Sequence, residues 1–352
     1  MTKDCVDATV VIPTFNRKSA LLQTLDCLNR CDYPGTLWEV LVVDDGSTDG
    51  TVAAVEDWIR GSRAPVRLIS QENKGPASAR NRGAAQARGA NLIFIDNDIL
   101  VGPGFIAGHL KSLSLHQGSW IIGRVVNMDQ LRITPFGRYR DSIWESYYQS
   151  LSASAVQEAS GLTAANLSLP AGDFQRLGGF DESFTIASCE DWELGVRARQ
   201  AGIEILYDPS IVARHNDWAI SMDRFCERQT LYSISDVLLF QKYADDSPRA
   251  PLVRRNSPIR WKSDSVRLIA AKSLKRLLAL RPFRRAIRLS CRLIERLAPD
   301  TALNRRAYDL AVALAIFHGV RQGLSRYSTR TDLAGKKRTG LVELPADQRA
   351  GQ

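Results

Sequence analysis

Two acidic residues separated by one position follow the most apolar strand-like run of the chain. Asp96 and Asp98 end the segment LIFIDND, so both carboxylates are expected in a turn at the end of a buried strand. Such a pair suits a hard divalent cation that also binds diphosphate oxygens. An isolated D-x-D is more often an ordinary strand-to-turn junction with solvated acids, so this spacing alone does not establish a metal site.

A second pair of acids, Asp44 and Asp45, follows another apolar run in VVDDGSTDG. Gly46 permits a tight turn there, and Ser47 or Asp49 can start the next helix. Turn and cap chemistry does not account for two adjacent like charges, which repel each other unless a cation or hydrogen-bond donors satisfy them. We therefore expect a nucleobase or ribose partner for Asp45.

Two further residues are candidates because of their positions. Asp191 precedes the helical segment WELGVRARQAG, where it is either a helix cap or a general base that takes a proton from an acceptor hydroxyl. His215 follows the strand-like run SIVAR. A lone histidine is usually a hydrogen-bonded structural residue, but a neutral imidazole can also complete a cation site with Asp98 and a diphosphate. The sequence leaves both pairs of roles open.

These residues need a scaffold that brings strand ends together. Apolar runs of strand length alternate with helical segments, which predicts a parallel, doubly wound α/β sheet. The carboxyl ends of the strands in such a sheet converge on one crevice, where the acids should meet. The predicted strands are 9–12, 40–43, 66–69 and 92–95, the predicted helices are 19–30, 50–60, 77–88 and 191–200, and a strand pair is predicted at 203–207 and 211–213.

Composition limits the possible classes of protein. The chain has 352 residues of which 44% are hydrophobic, enough for a full core and about two domains. No run approaches the roughly 18 apolar residues that span a bilayer, and the N-terminus lacks the pattern of a secretory signal. Six scattered cysteines are expected to be reduced, as in a cytoplasm.

Five ordered motifs together are similar to those of family 2 glycosyltransferases. They are VVIPTFNR at 10–17, VVDDGSTDG at 42–50, NKGPASARNRG at 73–83, FIDND at 94–98 and CEDWELGVRARQAG at 189–202. The resemblance covers roughly residues 8–217. It implies a GT-A type, Rossmann-like fold with a mixed, mainly parallel sheet, inverting chemistry, a nucleotide-diphosphate sugar as donor, and a glycan or lipid-linked acceptor.

The resemblance also implies roles for individual residues. Asp191 becomes the general base, and Asp98 binds a Mn²⁺ or Mg²⁺ ion. His215 occupies the place of a histidine that reaches the metal or the diphosphate. The residues expected to bind the donor are Pro13 and Asp45 at the nucleoside, and Lys74, Arg82 and Asp96 at the rest of the donor. A Q-x-x-R-W motif typical of processive members is missing, which favours a transferase that adds a single sugar.

Three other functions would require sequence features that differ from those present. A sugar nucleotidyltransferase would carry a glycine-rich signature near the first strand, which VVIPTFNR does not provide. A binding protein that has lost catalysis would tend to lack Asp45, Asp98 or Asp191, and all three are present. A nicotinamide-dependent dehydrogenase would need G-x-G-x-x-G after the first strand, where the chain has PTFNR.

The last third of the chain is strongly basic. From Arg249 onward there are 24 Lys and Arg against 7 Asp and Glu, a net charge of +17, whereas the preceding part carries −8. Amphipathic segments with Arg284, Arg288, Arg292 and Arg296 at every fourth position indicate either a surface for anionic lipid headgroups or a helical subdomain packed on the catalytic domain. No nucleic-acid reader motif is present, and no nucleic-acid partner is expected.

The predicted organisation has three parts. A catalytic domain covers 1–245, a basic amphipathic helical region covers 246–327, and a flexible tail covers 328–352. The boundary at 245 rests on DDSPRAP, where two prolines and a reversal of charge indicate a linker. The expected location is the cytoplasm, with peripheral binding of residues 250–327 to the inner face of the plasma membrane.

Overall fold

The structure is a computed structural model that describes residues 6–149, 151, 155–159, 161–217 and 219–327. The chain divides into two compact units. Unit 1 contains Met1–Ile133 and Arg140–Trp218, and unit 2 contains Thr134–Tyr139 and Ala219–Gln352. The tail predicted at 328–352 lies outside the described residues.

The first half of unit 1 alternates strands and helices. All four predicted strands and the first three predicted helices are present with shifted ends: β1 (Val6–Thr14), α1 (Lys18–Leu28), β2 (Trp38–Asp44), α2 (Thr51–Gly61), β3 (Val66–Ser70), α3 (Pro76–Ala85) and β4 (Gly89–Ile95). Every residue of β2 is buried, as expected for a parallel strand that is covered on both faces.

The second half of unit 1 is more irregular. It contains β5 (Ile99–Val101), α4 (Phe105–Leu115), β6 (Trp120–Asn127), α5 (Pro135–Gln149), β7 (Gln157–Glu158), β8 (Asn166–Pro170), α6 (Ala171–Arg176), α7 (Glu190–Gln200) and β9 (Ile205–His215). The first turn of α5 belongs to unit 2. The predicted strand pair near 203–213 is wrong, because β9 is a single strand. Its ladder with β6 shifts register between Asp208 and Val212, next to Pro209, which lacks the N–H that a regular ladder needs.

One mixed sheet joins the strands of unit 1. In the described residues its order is β3-β2-β1-β4-β8-β6-β9-β5, with β7 paired to β9. The pairs among β1 to β4 are parallel, while β8 pairs in antiparallel orientation with both β4 and β6. The carboxyl ends of β1 to β4 therefore lie along one edge, where the sequence placed its candidate acids.

Unit 2 is helical. It contains α8 (Met222–Tyr243), α9 (Ala250–Asn256), α10 (Val266–Leu278), α11 (Arg281–Leu297) and α12 (Ala302–Tyr327). The segment predicted as a linker at 245–251 instead leads directly into α9, and Pro251 lies in the first turn of that helix, where a proline sacrifices no hydrogen bond. In the part of the chain that the structure describes, no helix combines the length and the apolar character that crossing a membrane requires.

The packing of unit 2 also bears on the predicted boundary at residue 245. Helix α8 precedes that boundary, yet it packs along α12 and belongs to unit 2. Residues 244–301 separate α8 from α12, so no local pattern near residue 245 predicted that the two helices pack together. As a functional division, the boundary at 245 remains a prediction.

Candidate active site

A buried arginine joins two acidic segments at the edge of the sheet. Arg80 lies on α3 with only 3% of its surface exposed. Its Nη2 donates to Asp96 Oδ1 at 2.7 Å, just beyond β4, and its Nη1 donates to Glu190 Oε1 at 2.7 Å, at the start of α7. The guanidinium also lies 5.4 Å from the centre of the Phe180 ring. This bridge fixes the first acid of D-x-D relative to the helix that carries Asp191.

The bridge places several charges together away from water. Burial works against the charged guanidinium, but the Asp96 and Glu190 carboxylates more than offset it and raise the pKa of Arg80. Burial also raises the pKa of Glu190 despite the arginine. Glu190 Oε2 is buried and has no hydrogen-bond partner among the described residues. The two ion pairs of Arg80 therefore hold the network together, although one carboxylate oxygen has no partner.

Asp191 is the second residue of α7. The residue at the cap position is Cys189, whose φ of +69° is unusual for a residue with a side chain. The Asp191 carboxylate accepts the N–H of Trp192 at 2.8 Å and the N–H of Ala164 at 3.4 Å. Burial, and then the neighbouring Glu190 charge, raise the pKa of Asp191 to about 7. A half-buried carboxylate on a rigid helix start with this pKa has the properties of a general base.

The acids at the end of β2 have different environments. Both oxygens of Asp45 are occupied, because they accept hydrogen bonds from Gln71 Nε2 at 2.7 Å and from the N–H groups of Lys74 at 2.9 Å and Gly75 at 2.8 Å. Burial nevertheless raises the pKa of Asp45. Asp45 thus holds the loop between β3 and α3.

Asp44 is equally buried but less occupied. Its Oδ2 accepts the N–H of Ser47 at 3.1 Å, whereas its Oδ1 has no hydrogen-bond partner among the described residues. A buried carboxylate oxygen without a partner favours an additional hydrogen-bond donor. The nucleoside contact predicted for Asp45 stays a prediction, and Asp44 Oδ1 is a second candidate acceptor at the same strand end.

The loop between β3 and α3, which Asp45 binds, depends on a glycine. Gly75 has a φ of +93°, and a Cβ at this position would lie 2.7 Å from the Thr185 carbonyl oxygen. The loop that carries Lys74 therefore comes into close contact with the segment that leads to α7. Only glycine permits both this backbone conformation and this approach.

Asp98 and His215 are brought together by strand pairing. The antiparallel ladder of β5 and β9 pairs Ile99 with His215, and this register leaves His215 Nε2 3.4 Å from Asp98 Oδ1. Arg17 Nη2 lies 3.9 Å from Asp98 Oδ2. Burial disfavours the charged imidazole, but the Asp98 carboxylate outweighs burial and raises the pKa of His215.

This pair can be tested against the requirements of a cation. No group of three or more His, Cys, Asp or Glu side chains converges on a metal site within the described residues. A divalent cation bound through one or two protein ligands completes its shell with substrate phosphates and water. A carboxylate next to an imidazole fits such a shared site, and it does not fit a structural site closed by protein ligands alone.

The other predicted donor residues are placed as follows. Pro13 is buried near the end of β1 and pairs with Val43, one residue before Asp44. The Lys74 side chain is exposed, and its backbone N–H is bonded to Asp45. Arg82 lies on the exposed face of α3, because two helical positions separate it by about 200° from Arg80.

Sequence reasoning missed Arg80, although a signal was present. Ala77, Arg80 and Ala84 share one face of α3 at helical spacing, and all three are buried. An arginine within a stripe of small residues can be buried only with partners of opposite charge. The same argument would have excluded Arg82 from the buried face.

The chain is similar to known proteins in sequence and in fold. Residues 9–157 match the family model described as glycosyl transferase family 2. A validoxylamine A glucosyltransferase of Streptomyces hygroscopicus subsp. limoneus is 33% identical over 261 residues, which covers 65% of this chain and 54% of that protein. The chain thus spans about half the length of the curated relative that it matches.

Solved structures share the fold over most of the chain. A mannosyltransferase from Pyrobaculum calidifontis, in complex with GDP-Man and Mn²⁺, superimposes with a TM-score of 0.55 at 18% identity, covering 89% of this chain and 87% of that one. A fragment of TarS from Staphylococcus aureus in complex with UDP gives 0.51 at 20% identity, covering 90% and 92%. These similarities confirm the predicted GT-A type α/β fold.

Proposed function

Because the chain belongs to glycosyl transferase family 2 through residues 9–157, we propose that it transfers a sugar from a nucleotide-diphosphate donor to an acceptor hydroxyl with inversion. The observation that carries this proposal is the bridge from Asp96 through Arg80 to Glu190, next to Asp191 with its pKa of about 7. It joins an acid of the expected donor site to the helix that carries a base.

The reaction follows from the position of the base. Asp191 accepts the proton of the acceptor hydroxyl while the acceptor oxygen attacks the anomeric carbon. The bond from that carbon to the diphosphate oxygen breaks on the opposite face, and the diphosphate leaves with the electron pair. The products are the nucleoside diphosphate and a glycoside of inverted configuration. Arg80 acts as a positioning residue, because it holds α7 through Glu190.

The donor binds along the carboxyl ends of β1 to β4 in this proposal. Asp44 accepts a donor group of the nucleoside through its unpartnered Oδ1, while Asp45 shapes the loop beside it. Pro13 lines the nucleoside site from β1. The cationic side chains of Lys74 and Arg82 are exposed and reach the donor only from the rim, and Asp96 faces the donor sugar.

A divalent cation fits the Asp98 and His215 pair. These two residues would hold Mn²⁺ or Mg²⁺, and the bound ion would neutralise negative charge that develops on the departing diphosphate. The complexes of the Pyrobaculum neighbour with GDP-Man and Mn²⁺, and of TarS with UDP, support this choice of donor and cation. Arg17 supplies a further positive charge near Asp98.

The acceptor is a glycan or a lipid-linked sugar in this proposal. The reaction takes place in the cytoplasm and, for a lipid-linked acceptor, at the inner face of the plasma membrane. The described cysteines Cys27, Cys31, Cys189, Cys226 and Cys291 are free thiols, which agrees with a reducing compartment.

A thermal-shift screen tests the donor site. The purified chain is heated with UDP, GDP, CDP and TDP sugars, each with and without Mn²⁺. One nucleotide should raise the melting temperature, and Mn²⁺ should enlarge the shift, because binding to the folded state alone stabilises it. Absence of any shift across the set would contradict the proposal and favour a binding protein without transferase activity.

Point variants test which residues are responsible for the thermal shift. Asp44→Asn should lose most of the nucleotide-dependent shift, since the amide offers a donor where the ligand needs an acceptor. Asp98→Asn should keep the nucleotide shift but lose its enhancement by Mn²⁺. The matched control is Asp57→Asn on the exposed side of α2, which should respond as the wild type does. A full shift in Asp44→Asn would remove that residue from the nucleoside site.

A further inference from the structure

Helix α11 in unit 2 carries two apolar strips, and only one of them is used for packing. Cys291 is fully buried in a core cluster, and Ile287 packs against that cluster. On the opposite side of the helix, Leu289, Leu293 and Leu297 are 63%, 57% and 75% exposed. Leucines spaced four residues apart form a continuous strip along a helix. Packing within unit 2 does not require this second strip.

Helix α10 has its amphipathic pattern inverted. Lys272 is only 1% exposed, and its Nζ donates to Asp264 Oδ2 at 2.7 Å. Leu274 and Leu277, in contrast, are 56% and 50% exposed. Burying an ammonium group is unfavourable even when it is paired, and exposing leucines gives up hydrophobic free energy. The exposed leucines would regain this hydrophobic free energy in another apolar environment.

Arginines border the exposed strip of α11. Arg285 and Arg296 lie four and three positions from Leu289 and Leu293 and are exposed, as is Arg281 at the start of the helix. The stripe predicted from every fourth arginine is therefore divided, since Arg284 and Arg288 lie on the inner side, and Arg288 and Arg292 both pair with Asp223. Near the start of α10, Trp261 and Val266 are 76% and 82% exposed. A tryptophan, leucines and flanking arginines are the composition of a helix that lies in a bilayer interface.

We propose that the outer strips of α10 and α11 form a membrane-binding surface that inserts its leucines at the headgroup boundary of an anionic bilayer. This surface deepens the proposed function by naming the contact through which a lipid-linked acceptor would be met, but its residues are separate from the transfer site. Anionic lipid fits better than a second copy of the chain. A symmetric dimer through this face would place rows of arginines next to each other, whereas phosphate headgroups neutralise them.

Vesicle co-sedimentation of the full chain tests the surface. The probes are vesicles of phosphatidylcholine alone and vesicles in which a third of the lipid is phosphatidylglycerol. The wild type should sediment with the anionic vesicles, less so at high salt, and remain in the supernatant with the neutral ones. The variant with Leu289, Leu293 and Leu297 changed to serine should lose about tenfold or more in partitioning.

Two further variants separate the contributions. Changing Arg281, Arg285 and Arg296 to serine should weaken binding and reduce its dependence on salt. The matched control changes three exposed apolar residues of unit 1, Leu37, Leu115 and Val212, to serine and should bind as the wild type does. Because the altered leucines are exposed, circular dichroism and the melting temperature should not change.

Three outcomes would overturn the proposal. They are no binding to anionic vesicles, unchanged binding by the triple-leucine variant, or a wild-type dimer in ultracentrifugation that this variant converts to monomer while vesicle binding persists. The last result would assign the strip to a second copy of the chain. Nucleotide-dependent thermal shifts should be unchanged in all these variants, so a failed donor site and a failed membrane surface give different results.

Discussion

At the scale of the residue, the protonation of Asp191 determines in the proposed reaction how transfer depends on pH. Its pKa is raised to about 7 by burial and by Glu190, and a base works only when it is deprotonated. Turnover should therefore be constant above this pH and fall about tenfold per pH unit below it. Asp191→Asn should still show the nucleotide-dependent thermal shift and lose transfer. Steady-state rates across pH with a fixed donor measure both effects.

Arg80 provides the control for that pH profile. Its charge lowers the pKa of Asp191, so replacing it without a charge should move the acid limb to higher pH. Arg80→Met should show this movement, and Arg80→Lys, which keeps the charge, should stay closer to the wild-type limb. A profile that does not change in Arg80→Met would contradict the electrostatic link, whatever the loss in rate.

The sequence predicted at which strand ends the candidate residues lie better than it predicted what each one contacts. Asp96, Asp98 and His215 could be named from strand ends, because strand ends meet in this class of sheet. The pairing of His215 with Asp98 depends on an antiparallel register between β5 and β9 that no local pattern encodes. The occupied state of Asp45 likewise depends on a loop almost thirty residues away, which is why Asp44 was not distinguished from it.

At the scale of the element, two glycines determine how closely α12 approaches α8. Gly319 and Gly323 lie one turn apart on α12; a Cβ on Gly319 would overlap the Thr230 carbonyl oxygen, and one on Gly323 would lie 2.9 Å from Val237 Cβ. Although alanine favours a helix by about 1 kcal/mol, the overlap is with backbone that cannot rotate away. Gly319→Ala should lower the free energy of unfolding by about 2 kcal/mol in urea titrations.

A glycine in another helix serves as the control. Gly108 lies inside α4, where an added Cβ would meet Ile211 Cγ1 at an ordinary 3.5 Å. Gly108→Ala should therefore leave stability unchanged or raise it by up to about 1 kcal/mol. If both alanine variants are equally stable, the close packing of α8 and α12 does not limit stability.

Element prediction succeeded where periodicity is local and failed where partners are distant. The strands and helices up to residue 95 were located because apolar runs and turn residues alternate clearly there. For α10 the pattern indicated an amphipathic helix, but a pattern does not say which side faces the protein. Lys272 is buried because Asp264 and the Pro258 carbonyl lie next to it, and this contact depends on the fold of the preceding segment.

At the scale of the whole molecule, the acidic and the basic parts of the chain correspond broadly to unit 1 and unit 2. The first 248 residues carry −8 and include the acids at the sheet edge that is expected to bind a cation together with a diphosphate. Residues 249–352 carry +17, and the helices described in this part of the chain expose several leucines. Opposite charges would interfere if they were mixed, because basic side chains would compete for the acids of the donor site. Their separation along the chain agrees with the proposed roles, in which one part acts on the donor and the other binds lipid.

The limit between these parts can be decided by truncation. A chain that ends at Tyr243 keeps α8 without the helices on which it packs, so the buried Cys226, Ile234 and Val237 become exposed. A chain that ends at Ile220 lacks α8 and avoids this additional exposure.

We expect the longer fragment to aggregate more and to bind more of a hydrophobic dye, as measured by size-exclusion chromatography and dye fluorescence. Both fragments leave Phe136 and Tyr139 without their aromatic partner Tyr308, so each should be less stable than the full chain. If the fragment 1–243 is monomeric and 1–220 is not, then α8 belongs to the catalytic domain and the boundary predicted at 245 is correct.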